Sequence, residues 1–417
     1  MNEPIRPQSF RNGEIHDWYR LVLGYSDHLV ADIIDEFKLT PGTAVLDPFC
    51  GSGTTVVECK KRGVNCSAID ANPASWFAAR VKTNWRLIPS KITAAADRVC
   101  GMFPIMRSSR GALSLDPTYL YLEESGMLRR GWISKARLWD ILAIKASVLN
   151  LHYSSAYKNV LLLAAMNELV HTASNVRFGP ELYCTAQSGH VNVLKHFRGR
   201  VQHMAEDLAI ARASSTSFTS IVLGDSRALS RSWLGVPRGG FDAVICSPPY
   251  PAEHDYTRNS RLELAFLEHV TDLESLRAIK KTMVRSHTKG IYTTDTDSEQ
   301  VRENGRIARL AERIEAKAQS RSHGFARLYG RVTTEYFGGM KRHLRSLRPL
   351  LKRRARCAYI VGDQASYFQT RISTAQILSE IAEQAGYEVE EIRVWRRRLV
   401  STTQRHLTEN VLLLRNK

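Results

Sequence analysis

The sequence of 417 residues lacks the features that mark membrane and secreted proteins. Its longest uninterrupted apolar run, residues 160–166, is far shorter than the roughly 20 residues that a membrane-spanning helix requires. Residues 1–19 include acidic side chains and no apolar stretch, unlike a secretory signal. The 7 cysteines follow no framework spacing, which predicts free thiols in a reducing compartment. We therefore expect a protein of the bacterial or archaeal cytoplasm that does not interact with membranes.

Metal ligands at characteristic spacings are lacking as well. The pairs His16 and His28, and Cys59 and Cys66, do not follow the spacing of zinc sites, so we expect no bound metal. The sequence shows neither a fixed-period repeat nor a low-complexity tract, and its 43% of hydrophobic residues is typical of globular chains. Its length predicts two or three folded units with ample core.

Positive charge is abundant. The 59 lysines and arginines exceed the 41 acidic residues and give a net charge of +18. Such an excess favours a polyanionic partner, most often a nucleic acid. The alternative is a basic surface that only aids solubility, and composition does not separate the two.

Short apolar runs that end in polar or glycine-bearing turns predict a parallel sheet. They alternate with helical segments, which is the pattern of repeated βαβ units and of a doubly wound α/β fold. Another helix is predicted ahead of the first strand, at 27–37. The seven predicted strands are 44–46, 66–69, 221–223, 243–245, 358–361, 389–395 and 410–414.

A glycine loop follows the first predicted strand and opens a helix. Gly51 and Gly53 let the backbone approach a ligand, and the helix beyond offers unpaired N–H groups. An ATP-binding loop requires lysine after its last glycine, where this sequence has Thr54, and a dinucleotide loop requires a third glycine, where it has Val56. A nucleoside ligand without a pyrophosphate remains, and S-adenosylmethionine fits.

Acidic residues end the neighbouring strands. We expect Asp70 to accept hydrogen bonds from two ribose hydroxyls and Asp225 to accept one from an adenine amino group. The predicted cofactor-binding residues are Asp47, Pro48, Phe49, Cys50, Gly51, Ser52, Gly53, Thr54, Asp70, Ala71 and Asp225.

A second site is predicted where the fourth strand ends in Ser247-Pro248-Pro249-Tyr250. Paired prolines cannot extend the strand and they fix the direction of the local carbonyl groups. Open α/β sheets bind ligands at this edge, although a rigid turn without ligand contacts explains the prolines equally well.

Together these motifs resemble the DNA amino-methyltransferases. Asp-Pro-Phe-x-Gly-Ser-Gly-Thr-Thr at 47–55 and the tetrapeptide carry the resemblance, and the segments 174–180, 255–258, 261–263 and 360–363 extend it. Serine at position 247 is most similar to the N4-cytosine branch, since the N6-adenine branch usually has Asp or Asn there. The resemblance implies a Rossmann-like class I methyltransferase fold with a seven-stranded, mostly parallel sheet, S-adenosyl-L-methionine as cofactor and double-stranded DNA as substrate.

Within that family we assign roles to the tetrapeptide. The Ser247 hydroxyl and the Pro248 carbonyl would accept hydrogen bonds from the target amine, Pro249 would hold the turn, and Tyr250 would stack on the everted base. Rival interpretations are N6-adenine methylation, methylation of an RNA base, a small-molecule methyltransferase, and an inactive module that binds cofactor and nucleic acid. C5-cytosine methylation is disfavoured, because its nucleophile belongs to a Pro-Cys pair and this sequence has none.

Two largely helical insertions interrupt the predicted core. We divide the chain into an N-terminal helix and the cofactor-binding half (1–85), a helical insertion for target recognition (86–216), core strands with the tetrapeptide (217–254), a helical DNA clamp (255–340) and the C-terminal half of the core (341–417).

Basic clusters at 341–356, predicted to be largely helical, and at 395–398 are expected to contact phosphates. The predicted nucleic-acid contacts are Arg177, Arg258, Arg261, Arg353, Arg354, Arg396 and Arg397. No nuclease motif is evident, which leaves a separate restriction endonuclease as a candidate partner that the sequence does not decide. The resemblance implies a location in association with the nucleoid.

Overall fold

The computed structural model describes residues 14–19, 24–178, 182–185, 189, 191–212, 217–251, 254–319, 324, 326–400 and 405–417. Its strands, in chain order, are β1 (Ala44–Asp47), β2 (Asn65–Asp70), β3 (Val176–Phe178), β4 (Leu182–Cys184), β5 (Thr219–Leu223), β6 (Phe241–Cys246), β7 (Leu351–Gly362), β8 (Tyr387–Val400) and β9 (Arg405–Asn416).

Helices surround these strands, and none that the structure describes has both the length and the apolar character needed to cross a bilayer. Those before β5 are α1 (Asp27–Glu36), α2 (Thr54–Lys61), α3 (Pro73–Lys82), α4 (Pro89–Ser108), α5 (Arg110–Leu113), α6 (Pro117–Glu124), α7 (Lys135–Leu149), α8 (Ser155–Glu168) and α9 (Val193–Ala211). Those after it are α10 (Arg231–Leu234), α11 (Tyr256–Asn259), α12 (Arg261–Phe266), α13 (Leu273–Thr282), α14 (Gly305–Gln319), α15 (Tyr329–Leu347) and α16 (Thr374–Gln384).

The main sheet has the strand order β5-β2-β1-β6-β7-β9-β8. Strands β5, β2, β1, β6 and β7 are mutually parallel, and β9 runs antiparallel to both of its neighbours. Central strands β1 and β6 are apolar and almost entirely buried, as expected where helices cover both faces. All seven predicted strands are confirmed, and the sheet with its flanking helices has the Rossmann-like fold predicted for a class I methyltransferase.

The order of the strands brings the two predicted sites together. β1 and β6 are neighbours in the centre of the sheet and run in the same direction. Because the carboxyl ends of parallel strands meet at one edge, the glycine loop after β1 and the tetrapeptide after β6 emerge side by side.

The segment 86–216 packs against the sheet domain through a shared apolar core. This core joins Leu142 and Leu161 of the insertion to Ala78 of α3 and Phe266 of α12. The insertion is largely helical, as predicted, but it also contains the antiparallel hairpin β3–β4, which the sequence analysis did not predict.

The basic segment 341–356 differs from the prediction of a largely helical segment. Helix α15 ends at Leu347 and strand β7 begins at Leu351, so the second half of the segment is extended. Pro349 accounts for the change, since it has no N–H to donate within the helix and its ring would clash with the carbonyl group four residues earlier.

Candidate active site

A cavity of about 370 Å³ opens at the carboxyl edge of the sheet. Its size lies within the range of small-molecule sites, and its walls contain both predicted motifs. From the glycine loop and the end of β2 it is lined by Phe49, Cys50, Gly51, Ser52, Thr54, Asp70 and Ala71. From the tetrapeptide it is lined by Ser247, Pro248, Pro249 and Tyr250.

The glycine loop is held in a conformation that only glycine adopts easily. Gly53 has a φ of +89°, and a Cβ atom there would lie 3.0 Å from the Cβ of Ala79 in α3. Helix α2 begins at the next residue, Thr54, and its first N–H groups lie at the cavity. The loop therefore combines close helix packing with backbone donors that face a ligand.

Asp70 is the acid at the cavity wall. Its two carboxylate oxygens accept hydrogen bonds from the backbone N–H groups of Gly51 and Asn72, both at 2.7 Å. Burial raises the pKa of Asp70 to about 6, so the carboxylate is mostly ionised at neutral pH. Each oxygen can accept a second hydrogen bond, and this pair of acceptors fits the two ribose hydroxyls of a nucleoside.

Asp47 lies behind the cavity rather than in its wall. It is fully buried, and it accepts hydrogen bonds from the Tyr25 hydroxyl and the Phe49 N–H, both at 3.0 Å. Burial raises the pKa of Asp47 to about 7. Pro48 and Gly53 also lie outside the lining. These three residues shape the loop, and the cofactor contact predicted for them stays a prediction.

Asp225 has a strong partner of its own. Arg227 binds its carboxylate through Nε at 3.0 Å and through Nη2 at 2.7 Å, and the same guanidinium reaches Asp297 at 2.7 Å. Ser226 lines the cavity and Asp225 does not. The predicted contact between Asp225 and an adenine amino group stays a prediction, and its carboxylate is already neutralised by an arginine.

The tetrapeptide presents a fixed hydroxyl to the cavity. The Ser247 hydroxyl donates a hydrogen bond to the Ile360 carbonyl on β7 at 3.1 Å. Because that bond occupies the hydroxyl hydrogen, the oxygen can only accept further hydrogen bonds. The Tyr250 hydroxyl lies 3.4 Å from it and can fill one lone pair, which leaves the other for a ligand. Cys246, one residue earlier, is fully buried in the core, as the alternation of a strand requires.

Tyr250 packs over the end of β7. A Cβ atom on Gly362 would lie 3.1 Å from its Cε2 atom, so the ring needs glycine beneath it. The Tyr250 N–H donates to the Tyr256 hydroxyl at 3.3 Å. Burial raises the pKa of Tyr250 well above its usual value, and the phenol is neutral.

The remaining walls come from residues to which the sequence analysis gave no role in either predicted site. Gln364, Glu409 and Arg398 border the tetrapeptide side, whereas Glu263 of α12 borders the cofactor side. Glu263 is buried and accepts a hydrogen bond from the Tyr19 hydroxyl at 2.7 Å, and burial raises its pKa to about 7. Arg398 belongs to the basic cluster 395–398 and Glu263 to the resembling segment 261–263, but no local signal assigns these residues to a cavity wall, because the fold brings them together from distant parts of the chain.

Among the arginines predicted to bind nucleic acid, Arg396 lines the cavity and its neighbour Arg397 does not. Arg177 donates to the Val176 carbonyl at 2.7 Å and Arg261 donates to the Thr257 carbonyl at 3.2 Å, and both are half-buried outside the lining. Arg258 is also half-buried outside it.

Arg353 and Arg354 lie at the other edge of the sheet. Leu351 pairs with Phe241 at the start of β6, whereas Tyr359 pairs with Cys246 at its end. The two arginines are therefore roughly 20 Å from the tetrapeptide along the strand direction. A phosphate contact there would be separate from the cavity.

Comparison with known proteins agrees with the architecture of the site. A family model described as DNA methylase matches residues 25–76, which run from α1 through the glycine loop to the start of α3. The type II methyltransferase M.BsoBI of Geobacillus stearothermophilus is 25% identical over 66% of this chain and 57% of its own length. The type II methyltransferase M.AvaI of Nostoc sp. is 23% identical over 90% of this chain and 80% of its own.

A solved structure, the rRNA methyltransferase aviRa from Streptomyces viridochromogenes, aligns with 98% of this chain and 91% of its own, at 12% identity and a TM-score of 0.33. The chain spans only 57% of the length of M.BsoBI, so activity, substrate and partners are matters for a proposal. The chain is therefore similar to DNA methylases over residues 25–76 and, along most of its length, to two type II methyltransferases.

Proposed function

We propose that the protein is a site-specific DNA methyltransferase that transfers a methyl group from S-adenosylmethionine to the exocyclic N4 amine of cytosine. The observation that carries the proposal is that Asp70 with the glycine loop and Ser247 with its tetrapeptide line one cavity. A cofactor held by the first group and a base held by the second would meet within it.

The cofactor half of the cavity fits S-adenosylmethionine. The carboxylate of Asp70 would accept the ribose hydroxyls, and the backbone donors of the glycine loop would face the polar methionine end. When bound, the cofactor supplies an electrophilic methyl group on a sulfonium. The nearby aromatic side chains of Phe49 and Tyr25 exclude water from this part of the cavity.

The tetrapeptide half would activate the amine. An exocyclic amine is a poor nucleophile because its lone pair is delocalised into the ring. With the Ser247 hydroxyl hydrogen held by Ile360, its oxygen accepts one N–H, and the Pro248 carbonyl accepts the other. With both reactants bound, the nitrogen would form its bond to the methyl carbon as the carbon–sulfur bond breaks, the electron pair would stay on sulfur, and one N–H proton would pass to water. Positioning of the two reactants supplies much of the rate.

Serine at position 247 supports the cytosine assignment over adenine. A carboxylate at this position would face the Ile360 carbonyl, an acceptor to which it has no hydrogen to donate. The base must leave the duplex to reach the cavity, at a cost of a few kcal/mol, and Tyr250 offers a ring on which it can stack. We assign target recognition to the insertion 86–216 and a clamping role to 255–340.

The product separates this function from its rivals. DNA from cells that express the protein is digested to nucleosides, and we expect N4-methylcytosine by mass spectrometry and one sequence context by modified-base sequencing. If the product is N6-methyladenine, the protein belongs to the adenine branch instead. If only RNA is methylated, it is an RNA methyltransferase, and if no methylated product forms, it is an inactive binding module. Resistance of that DNA to an endonuclease of the same context would support a separate restriction partner.

Ser247→Ala tests the role of the tetrapeptide. We expect kcat to fall by about 100-fold, the loss typical for one preorganised acceptor or donor in an active site, with cofactor affinity unchanged. Ser379 is half-buried on α16 outside the cavity lining, and its hydroxyl donates to the Gln376 carbonyl within the helix. Ser379→Ala is therefore the matched control and should retain full activity. Equal activity in the two variants would contradict the role of Ser247.

A further inference from the structure

Gln364 lies beside the tetrapeptide in the wall of the cavity. It is 5% exposed, and its Nε2 atom makes only a long hydrogen bond of 3.3 Å to the Gly362 carbonyl. Its backbone is fixed by a pair of hydrogen bonds with Ile372, at 3.1 and 2.7 Å. A Cβ atom on Gly362 would touch both the Gln364 Nε2, at 3.2 Å, and the ring of Tyr250, so amide and ring stand next to each other.

Arg398 lies near the same ring from the side of β8. Gly362, Glu409 and Arg396 are in register on three adjacent strands, and Arg398 follows Arg396 by two residues on the same strand face. Arg396 holds Glu409 through Nε at 2.5 Å, whereas the Arg398 Nε is 3.9 Å from that carboxylate, beyond hydrogen-bond distance. Arg398 lines the cavity together with Tyr250 and His254, so its side chain lies close to the tetrapeptide.

The Gln364 amide and the Arg398 guanidinium bring hydrogen-bond donors to a cavity in which Ser247 and Pro248 offer hydrogen-bond acceptors. Cytosine presents its amine beside two acceptors, N3 and O2, on one edge. Adenine presents its amine beside a single acceptor, N1, followed by a C–H group. With the amine at Ser247 and Pro248, two acceptors of a pyrimidine would face the amide and the guanidinium, whereas adenine would leave one donor unpaired.

We propose that Gln364 and Arg398 read the N3 and O2 acceptors of the everted base, and that this pair makes the pocket selective for cytosine. The proposal rests on the proposed function and goes beyond it, since it assigns the choice of base to residues outside the tetrapeptide. Gln364 is too deeply buried to contact a phosphate on the DNA surface, which favours a base contact for its amide. The Arg398 side chain is 46% exposed, and its assignment to the base rests on its place in the same cavity wall.

Arg397 provides a matched control for Arg398. The two residues are adjacent and equal in charge, but alternation along β8 places Arg397 on the opposite face, away from the cavity lining. Loss of either arginine lowers the net charge equally. A general attraction for DNA would therefore be weakened to the same extent in both variants, whereas a contact with the base would be lost only with Arg398.

The experiment uses a duplex oligonucleotide that carries the mapped recognition site, with either the target cytosine or an analogue. The analogue is a 2-aminopyridine C-nucleoside, which keeps the amine and the ring nitrogen that corresponds to N3 but has no O2. For Arg398→Ala we expect kcat/KM on cytosine to fall by about 10- to 100-fold, with the affinity for S-adenosylhomocysteine unchanged. On the analogue, the wild-type protein should already be slow and the variant should lose no more. Arg397→Ala should stay within about threefold of the wild type on both substrates.

Gln364→Met keeps the volume and removes the amide, and we expect a similar loss on cytosine. Equal losses in Arg398→Ala and Arg397→Ala, or a loss in Arg398→Ala that is the same on cytosine and on the analogue, would overturn the proposal and make Arg398 a phosphate contact. If the wild-type product is N4-methylcytosine and the variants show either of these contradicting results, only this inference fails and the proposed function stands. If the wild-type product is N6-methyladenine, the proposed function fails with it.

Discussion

The two halves of the cavity are built in different ways. Two short continuous segments, the glycine loop and the end of β2, contribute residues 49–52, Thr54, Asp70 and Ala71 to the cofactor half, and the Gly51 N–H of the first segment binds the Asp70 carboxylate of the second. The tetrapeptide half collects side chains from β6, from the end of β7 and from β8 and β9. The residues of a site that depends on local backbone conformation can be predicted from a sequence motif. The residues of a site assembled from distant strands cannot.

The largest effect should come from the single carboxylate of the cofactor half. Asp70→Ala removes the acceptor for the ribose hydroxyls and releases the N–H groups of Gly51 and Asn72. We expect the dissociation constant of S-adenosylhomocysteine to rise by at least about 100-fold, since two hydrogen bonds to a charged group are lost. Isothermal titration calorimetry measures this change.

The same variant also tests whether the two halves are independent. DNA affinity, measured by fluorescence anisotropy on the mapped duplex, should stay at the wild-type level, because the base would bind at the tetrapeptide. Asp32→Ala on the exposed face of α1 serves as the control for loss of one surface carboxylate. If Asp70→Ala bound S-adenosylhomocysteine as tightly as the wild type, the assignment of Asp70 and the glycine loop to cofactor binding would be wrong.

The sequence predicted the cofactor half of the cavity more completely than the tetrapeptide half. The strand ends at Asp47, Asp70 and Cys246 were predicted because apolar runs and turn residues are local signals. The neighbours of Tyr250 were not, because Gln364 and Glu409 are more than a hundred residues away and only the order of the strands brings them there. Arg353 and Arg354 are a third case. The sequence shows that they belong to a basic cluster, but it does not show at which end of the parallel strands that cluster lies.

A smaller effect is expected from Asp47, the buried carboxyl behind the glycine loop. Burial raises its pKa to about 7 in the folded state, above the value of an unfolded chain. The folded protein therefore binds more protons than the unfolded protein between these two values. Asp47 then stabilises the fold at low pH, and that contribution is lost as the pH rises through about 7.

Asp47→Asn should remove this pH dependence while it retains an acceptor for the Phe49 N–H. Relative to the wild type, the variant should gain on the order of 2 kcal/mol of unfolding free energy between about pH 5 and about pH 8. Urea denaturation at several pH values measures the difference, and Asp32→Asn on the surface is the control. A constant difference across this range would show that Asp47 is not desolvated as the structure indicates.

The smallest effect should come from Arg353 and Arg354, and it concerns which edge of the sheet meets DNA. Both are exposed near the start of β7, while several other basic residues of the segment 341–356 form ion pairs within the protein. These pairs are Arg342 with Asp297, Lys352 with Asp242, and Arg356 with Glu36 and Glu390. If DNA approaches the cavity at the carboxyl edge, the double replacement by alanine should change DNA affinity by less than about threefold and leave its salt dependence as it is. A shallower salt dependence in the double variant would instead mean that DNA phosphates contact the end of the sheet where the parallel strands begin. DNA would then have to extend along the strands to that end, rather than lie only at the carboxyl edge that carries Tyr250 and Arg396.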